Sequence, residues 1–199
     1  MRRAEYVYTG VHTQTGLLIA FYTLSLFMSG KDKNSFVGKI ISATSEEVSL
    51  PNGFKMVLDR VRHPGGAAVV AVNEQRQVCL LKHYRPIAKG WILELPAGML
   101  EPEELPLQTA QRELEEETGV TAAKWCELGA ILSSPGVFDE KVHLYLAREI
   151  TLGQHRREEG ELMDIEWVDI AEAMEWARAG KIVDGKTVVG LFRAQSHLI

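Results

Sequence analysis

Cysteine is scarce in this chain of 199 residues, which contains only Cys79 and Cys126. The two do not form a C-x-x-C pair or any other metal-ligand spacing, and so few cysteines exclude a disulfide-rich secreted scaffold. We therefore expect no disulfide, a reducing compartment and a cytoplasmic location. An excess of positive charge is also missing, because the net charge is −5 at pH 7. This balance gives no reason to expect nucleic-acid binding, and an anionic substrate would need local cations or metal ions.

Long apolar runs are missing as well. The nearly uncharged stretch of residues 16–30 is shorter than the roughly 20 residues that a membrane-spanning helix needs. We expect residues 1–35 to be an apolar N-terminal extension, and we favour a physiological start at Met28 with a spurious stretch before it. No clear small-x-small cleavage site follows the run, which disfavours a signal peptide. A membrane anchor is the alternative, but the run is too short to favour one.

The rest of the chain has the composition of a soluble globular protein, with 46% hydrophobic and 25% charged residues. Residues 36–62 read as short antiparallel strands around a turn that begins at Pro51. Residues 63–199 mix further strands and helices without strict βαβ alternation, which predicts an α+β fold with a sheet flanked by helices. One helix is predicted over residues 106–118, because Pro106 suits a first turn and Gly119 suits the position after a last turn.

This predicted helix is strongly acidic. Glu113, Glu116 and Glu117 fall at i, i+3 and i+4 on one face, beside an apolar stripe of Leu107, Ala110 and Leu114 that we expect to be buried. Like charges at this spacing repel, and a divalent cation would remove that cost. Oxygen-only ligands suit Mg²⁺, with Mn²⁺ as the other candidate. The alternative is a solvated acidic face in which Arg112 pairs with Glu116 for structural reasons alone.

The spacing around the helix distinguishes these alternatives. Gly98, Glu104 and the run from Arg112 to Val120 match every position of G-x5-E-x7-R-E-U-x-E-E-x-G-U, where U is aliphatic. This segment resembles the Nudix box, and the flanking sequences HYRP and LELPAG resemble the ADP-ribose pyrophosphatase branch of that family. The resemblance covers roughly residues 37–197. It implies a Nudix-type α/β/α sandwich with a mixed sheet, formed by residues 63–199.

The resemblance also implies roles for the residues of the box. It implies that Glu113, Glu116, Glu117 and the carbonyl of Ala97 are the metal ligands. Arg112 is expected to orient the carboxylates, and Glu104 is expected to brace the loop rather than ligate. The same resemblance gives Gly98 and Gly119 backbone roles, at a close approach to the metal and at a left-handed turn after the helix.

A general base must come from outside the metal ligands, because metal-bound glutamates are poor bases. We expect it on the segment SSPGVFDEK, interpreted as a mobile loop. A proline sixteen residues after Gly119, here Pro135, marks the ADP-ribose branch, and the S-P-G-x-x-x-E pattern of that branch implies that Glu140 is the acidic catalytic residue. Asp139 is the fallback.

Substrate phosphates require cations. Arg85 follows a strand and has a planar fork that suits phosphate, and the matching arginine of the family contacts substrate. Glu94 is an acid in an apolar strand, which is unusual unless it is paired, so it is expected either to bind substrate or to hold Arg85. Arg62 and His63 are weaker substrate-binding candidates.

The resemblance implies Mg²⁺-dependent hydrolysis of a nucleotide sugar, ADP-ribose, to AMP and ribose 5-phosphate. It also implies a homodimer in which residues 36–62 complete the site of the partner. Two alternatives remain at this point. One is the same reaction on another nucleotide sugar such as GDP-mannose, and the other is a non-catalytic nucleotide-sugar sensor.

Overall fold

A computed structural model describes residues 35–156, 160 and 162–198. These residues contain ten strands: β1 (Ser35–Val37), β2 (Ser42–Ser49), β3 (Lys55–Arg62), β4 (Gly66–Ala71), β5 (Gln77–Arg85), β6 (Gly90–Glu94), β7 (Ala97–Met99), β8 (Val120–Ser134), β9 (Phe138–Leu152) and β10 (Met163–Asp169). Three helices, α1 (Pro106–Thr118), α2 (Ile170–Arg178) and α3 (Gly185–Ala194), precede a short 3₁₀ turn at Gln195–His197. Met28 and residues 1–34 of the predicted extension lie outside the described residues. No helix within the described part of the chain is long and apolar enough to cross a membrane.

The strands form two sheets. The larger has the order β1-β2-β3-β9-β4-β7, with β8 paired to β9, and the smaller has the order β10-β5-β6. Strand β9 runs parallel to β4 and antiparallel to β8, so the large sheet is mixed, as predicted. Strands β4 and β5 are consecutive in the chain but belong to different sheets.

The core lies on both faces of β4, all of whose residues are buried. Because successive side chains of a strand point to opposite faces, Ala67 and Val69 pack with Ala110 and Leu114 of α1. The alternate side chains of Ala68 and Val70 pack in the other cluster, with residues of α2 and α3. Helices therefore cover both faces of the mixed sheet, which confirms the predicted α+β fold and α/β/α layering.

Helix α1 has the predicted bounds. Pro106 occupies its first turn, and the Gln108 side-chain oxygen accepts a hydrogen bond from the Leu105 N–H at 2.9 Å. Gly119 ends the helix with φ of 73° and donates its N–H to the carbonyl of Glu115. The predicted buried stripe was wrong at one position: Leu107 is 36% exposed, and only Ala110 and Leu114 of the three belong to the core cluster.

The N-terminal strands form the predicted antiparallel region, in which the first described strand is β1. Strands β1, β2 and β3 pair in sequence order. Strand β3 joins the rest of the sheet through Val61, which pairs with Phe138 at the start of β9. Residues 63–65 then connect β3 directly to β4, so the N-terminal strands lead into the centre of the fold.

Candidate active site

A cavity of about 1120 Å³ lies beside α1 and β7. The carboxylate-bearing residues Glu113, Glu116 and Glu117 line it. Arg85, at the end of β5, and Lys186, in the first turn of α3, line the same cavity. Acidic and basic side chains from distant parts of the sequence therefore meet around one space. A metal-dependent site for a pyrophosphate compound needs both kinds of side chain. Cationic groups bind the phosphates, and carboxylates bind the metal ion.

Glu117 ties α1 to β7. Its side chain is buried, with the residue 4% exposed, and its Oε2 accepts a hydrogen bond from the N–H of Ala97 at 2.9 Å. Ala97 is fixed in turn by pairing with Ala68 of β4. The predicted ligands Glu117 and Ala97 are thus neighbours, and a central strand holds them in register.

Arg112 donates hydrogen bonds to several carboxylates on and before the acidic helix. Its Nε and Nη2 donate to the two oxygens of Glu104 at 2.9 Å each. Its Nη1 donates to Glu113 Oε1 at 2.7 Å and to Glu116 Oε2 at 3.2 Å. The hydrogen bonds from Arg112 lower the pKa of Glu104 to about 2, although partial burial opposes this shift. The same contacts raise the pKa of Arg112 well above its ordinary value, chiefly through the hydrogen bond with Glu104. Arg112 thus contacts three carboxylates of the box at once, those of Glu104, Glu113 and Glu116.

Gly98 is required by close packing. A Cβ atom at this position would lie 1.9 Å from Glu113 Oε1, so no side chain fits while that carboxylate stays in place. Gly119 is required by its backbone conformation: its φ is positive, and a Cβ would lie 2.6 Å from the carbonyl oxygen of Gly153. Glycine is therefore required at these two positions for different reasons. At Gly98 a side chain would collide with a carboxylate, and at Gly119 the backbone adopts a left-handed conformation at the end of the helix.

The donors at this wall are all oxygens, which fits a hard divalent cation such as Mg²⁺ or Mn²⁺ and not a thiolate-preferring metal. Glu113 and Glu116 share one guanidinium nitrogen of Arg112. Within the part of the chain that is described, no group of three or more acidic, histidine or cysteine side chains is closed around a single point. The fit therefore rests on the chemistry of the donors and on their common cavity.

Glu94 lies behind Arg85. Its two oxygens accept from Arg85 Nε at 2.8 Å and from Nη2 at 2.7 Å, and Lys186 Nζ donates to the same Oε2 at 3.0 Å. Burial alone would raise the pKa of Glu94, but its contacts with Arg85 and Lys186 lower it to about 2. Glu94 is not among the residues that line the cavity. Of the two roles expected for it, this placement favours holding Arg85.

The segment interpreted as a mobile loop is a β-hairpin, so that interpretation was wrong. Glu140 lies in β9, just after the turn that follows β8, and lines the cavity. Its Oε1 is 3.5 Å from His63 Nδ1, and His63 also lines the cavity. Asp139 instead accepts the backbone N–H of His63 at 2.9 Å. The structure thus brings Glu140 to the cavity and gives Asp139 a contact that holds β3's end.

Arg62, like Glu94, is a predicted substrate-binding residue that does not line the cavity. Its Nη2 lies 3.6 Å from Glu46 Oε2 on the neighbouring strand β2, and its side chain is 50% exposed. The physical reason is the alternation of β3, because the side chain of Arg62 follows the strand face that carries Glu46.

Sequence reasoning missed Lys186. A signal was present, since a lysine in the first turn of a helix opposes the helix dipole and needs a local reason. The reason became visible only in the fold, where the Nζ atom lies 3.0 Å from both Glu94 Oε2 and Asp184 Oδ1. Glu94 and Lys186 are 92 residues apart, so no local pattern could have joined them.

Comparisons with known proteins agree with this geometry. A model of the NUDIX domain matches residues 62–187. The chain is 39% identical over 158 residues to the ADP-ribose pyrophosphatase of Bacillus subtilis (strain 168), a match that covers 78% of this chain and 85% of that protein. It is 35% identical over 163 residues to the methanol dehydrogenase activator of Bacillus methanolicus, covering 81% and 88% respectively.

A solved structure described as an ADP compounds hydrolase superposes with a TM-score of 0.70 and covers 86% of this chain and 96% of that chain. Its sequence identity is 21%, so this likeness concerns the fold alone.

Proposed function

Because this chain belongs to the NUDIX domain family, we propose that it hydrolyses the pyrophosphate bond of ADP-ribose and releases AMP and ribose 5-phosphate. The observation that carries the proposal is the single cavity that Glu113, Glu116 and Glu117 share with the cationic side chains of Arg85 and Lys186. The similarity to the Bacillus subtilis ADP-ribose pyrophosphatase, along 85% of that protein, supports the choice of substrate.

Nudix hydrolases use a divalent cation, and we assign Mg²⁺, with Mn²⁺ able to replace it. Glu113, Glu116, Glu117 and the carbonyl of Ala97 would hold it. When bound, the cation supplies charge neutralisation on the phosphate oxygens and lowers the pKa of a bound water. Arg112 keeps Glu113 and Glu116 oriented toward the cavity through its Nη1 atom.

Arg85 binds a substrate phosphate. Its guanidinium is held from behind by two hydrogen bonds to Glu94, so its orientation is fixed before the substrate arrives. A fixed donor loses less conformational freedom on binding than a mobile one. Glu94 thus acts through Arg85 rather than by touching the substrate.

Glu140 is the general base. It lines the cavity from β9, outside the set of metal ligands, and can take a proton from the attacking water. Asp139, the fallback candidate, is occupied by the backbone of His63. Proton transfer by a placed carboxylate contributes about 10²- to 10⁴-fold to a rate.

We also propose that the chain acts in the cytoplasm as a homodimer and that strands β1–β3 form its interface. The described part of this region exposes several large apolar side chains: Phe36, Val37, Ile40, Leu50, Phe54, Met56 and Val57. Large apolar side chains that are exposed and concentrated in one region favour an interaction site there. Sedimentation equilibrium tests the dimer, and a monomer at micromolar concentration would rule it out.

One experiment tests the activity. The protein is incubated with Mg²⁺ and a panel that includes ADP-ribose, GDP-mannose and other nucleotide sugars, and mononucleotide release is quantified by chromatography. We expect AMP and ribose 5-phosphate in equal amounts from ADP-ribose, and none after chelation of the metal. Faster turnover of GDP-mannose would replace the substrate and keep the reaction. No release from any compound would leave a non-catalytic sensor as the better account.

A further inference from the structure

We propose that Lys186 is a second substrate-binding cation, which forms with Arg85 a two-cation clamp on one phosphoryl group of the substrate. Glu94 positions both members of this clamp. The inference rests on the proposed function, since it names how the same cavity holds an anionic substrate. Lys186 and Arg85 both line that cavity.

The two cations are held side by side by one atom. Glu94 Oε2 accepts from Arg85 Nη2 at 2.7 Å and from Lys186 Nζ at 3.0 Å. Their nitrogens therefore lie within about 6 Å of each other, a range at which charges interact strongly. Neighbouring oxygens of one phosphoryl group can be reached by two donors at such a separation, with one hydrogen bond from each.

Burial divides the cluster into a support and a binding surface. The Glu94 side chain is 3% exposed, whereas the side chains of Lys186 and Arg85 are 18% and 42% exposed. The Glu94 carboxylate is thus enclosed by the protein, while the cationic groups of Lys186 and Arg85 are open to the cavity. A ligand that enters the cavity meets the positive groups and is separated by them from the Glu94 carboxylate.

Both cations keep hydrogen-bond donors for a ligand. Arg85 has five N–H donors, and its bonds to Glu94 use one on Nε and one on Nη2. Lys186 has three donors, and the bonds found among the described residues use two, to Glu94 and Asp184. The remaining donors are sufficient for a phosphoryl group without breaking the support.

The ion pairs of Lys186 with Glu94 and Asp184 do not by themselves require a lysine at this position. The Asp184 side chain already caps α3 by accepting the N–H of Thr187 at 3.0 Å. A cation in the first turn opposes the helix dipole. Buried ion pairs are often no more stabilising than apolar residues of similar volume. A positive charge at the cavity wall is therefore explained by a ligand better than by stability.

The clamp acts through oriented donors rather than through excess charge. Lys186 and Arg85 contribute two positive charges, and Glu94 and Asp184 contribute two negative ones. The cluster is balanced before the substrate enters, so removal of Lys186 leaves an excess of negative charge beside the phosphate. Loss of the ammonium group should then weaken phosphate binding in two ways, by a lost donor and by a repulsive carboxylate.

The test uses isothermal titration of the full chain in EDTA, where binding is measured without turnover. ADP-ribose and inorganic pyrophosphate are titrated into the wild type, Lys186→Met and Lys186→Arg. The control is Lys124→Met, which removes one positive charge at an exposed ion pair with Glu149 on the β8–β9 hairpin. We expect Lys186→Met to weaken both ligands by about 10- to 100-fold. Lys186→Arg should lie between Lys186→Met and the wild type, and Lys124→Met should match the wild type.

Thermal denaturation of the same proteins separates a binding role from a structural one. A Lys186→Met protein that melts earlier but binds both ligands with unchanged affinity would overturn the proposal. If Lys186→Met does not fold, the same comparison is made with Lys186→Gln. Loss of pyrophosphate affinity in the variant would support the clamp even if the assay with Mg²⁺ showed no turnover of ADP-ribose, and that second result would remove ADP-ribose as the substrate.

Discussion

Replacement of Gly98 by alanine should damage activity far more than stability. The new Cβ would lie 1.9 Å from Glu113 Oε1 and 2.0 Å from its Cδ. The carboxylate must retreat by about 1.5 Å to reach an ordinary van der Waals separation. It can do so cheaply, because it is the far end of a flexible side chain. Its hydrogen bond to Arg112 is partly exposed, so its loss costs about 1 kcal/mol or less.

The effect on turnover is larger, because a displacement of about 1 Å at a catalytic group can cost on the order of 10²-fold. We therefore expect Gly98→Ala to lower kcat for ADP-ribose by about 100-fold at saturating Mg²⁺. The free energy of unfolding in urea should stay within about 1 kcal/mol of the wild type. Gly90→Ala is the matched control, since its Cβ would lie 3.9 Å from the nearest atom, the carbonyl oxygen of Ala88.

Gly119→Ala should show the opposite balance. Its φ is +73° and the clash is with backbone, so about 1–3 kcal/mol of stability should be lost. The reasoning about Gly98 fails if Gly98→Ala turns over ADP-ribose like the wild type, or if it loses as much stability as Gly119→Ala.

Two further predictions concern single carboxylates. Glu140→Gln should lower kcat by about 10²- to 10⁴-fold with little change in KM. Asp139→Asn should lower kcat much less, because Asp139 holds the backbone of His63. Steady-state kinetics on both variants tests this, and equal losses of kcat would remove Glu140 as the base. The folded-state pKa of Glu94 is about 2, below its ordinary value of 4.5. Its stabilising contribution is therefore complete above pH about 4.5 and is lost as the pH falls toward about 2. Glu94→Gln should flatten this acid-induced loss of unfolding free energy in urea titrations, and an unchanged slope would contradict the ionised, cation-paired state of Glu94.

The sequence predicted secondary structure best where two independent features of a short segment agreed. Helix α1 could be predicted with correct bounds, because Pro106 and Gly119 mark its ends and the spacing of the box runs through it. The strand region of residues 36–62 was visible from alternation and from its turn. Leu107 was predicted to be buried because helical periodicity describes a face, whereas burial also depends on how far the helix extends over the sheet.

Long-range pairing could not be read from the sequence. Strand β4 pairs with β7 and β9 instead of with its successor β5, and the choice depends on the packing of distant residues. For the same reason the Glu94–Lys186 contact was missed. The segment around Glu140 has proline and glycine, which indicate a turn, but its pairing across β8 and β9 is set by the register of a long hairpin.

The central claim is that the carboxylates of α1 hold a divalent cation beside the cavity. Electron paramagnetic resonance of Mn²⁺ titrated into the protein measures this directly, because free and bound ions give different signals. We predict saturable binding by the wild type and its loss in the triple variant Glu113→Gln, Glu116→Gln, Glu117→Gln, with circular dichroism confirming that the variant is folded. Equal Mn²⁺ binding by the folded triple variant and the wild type would contradict the account.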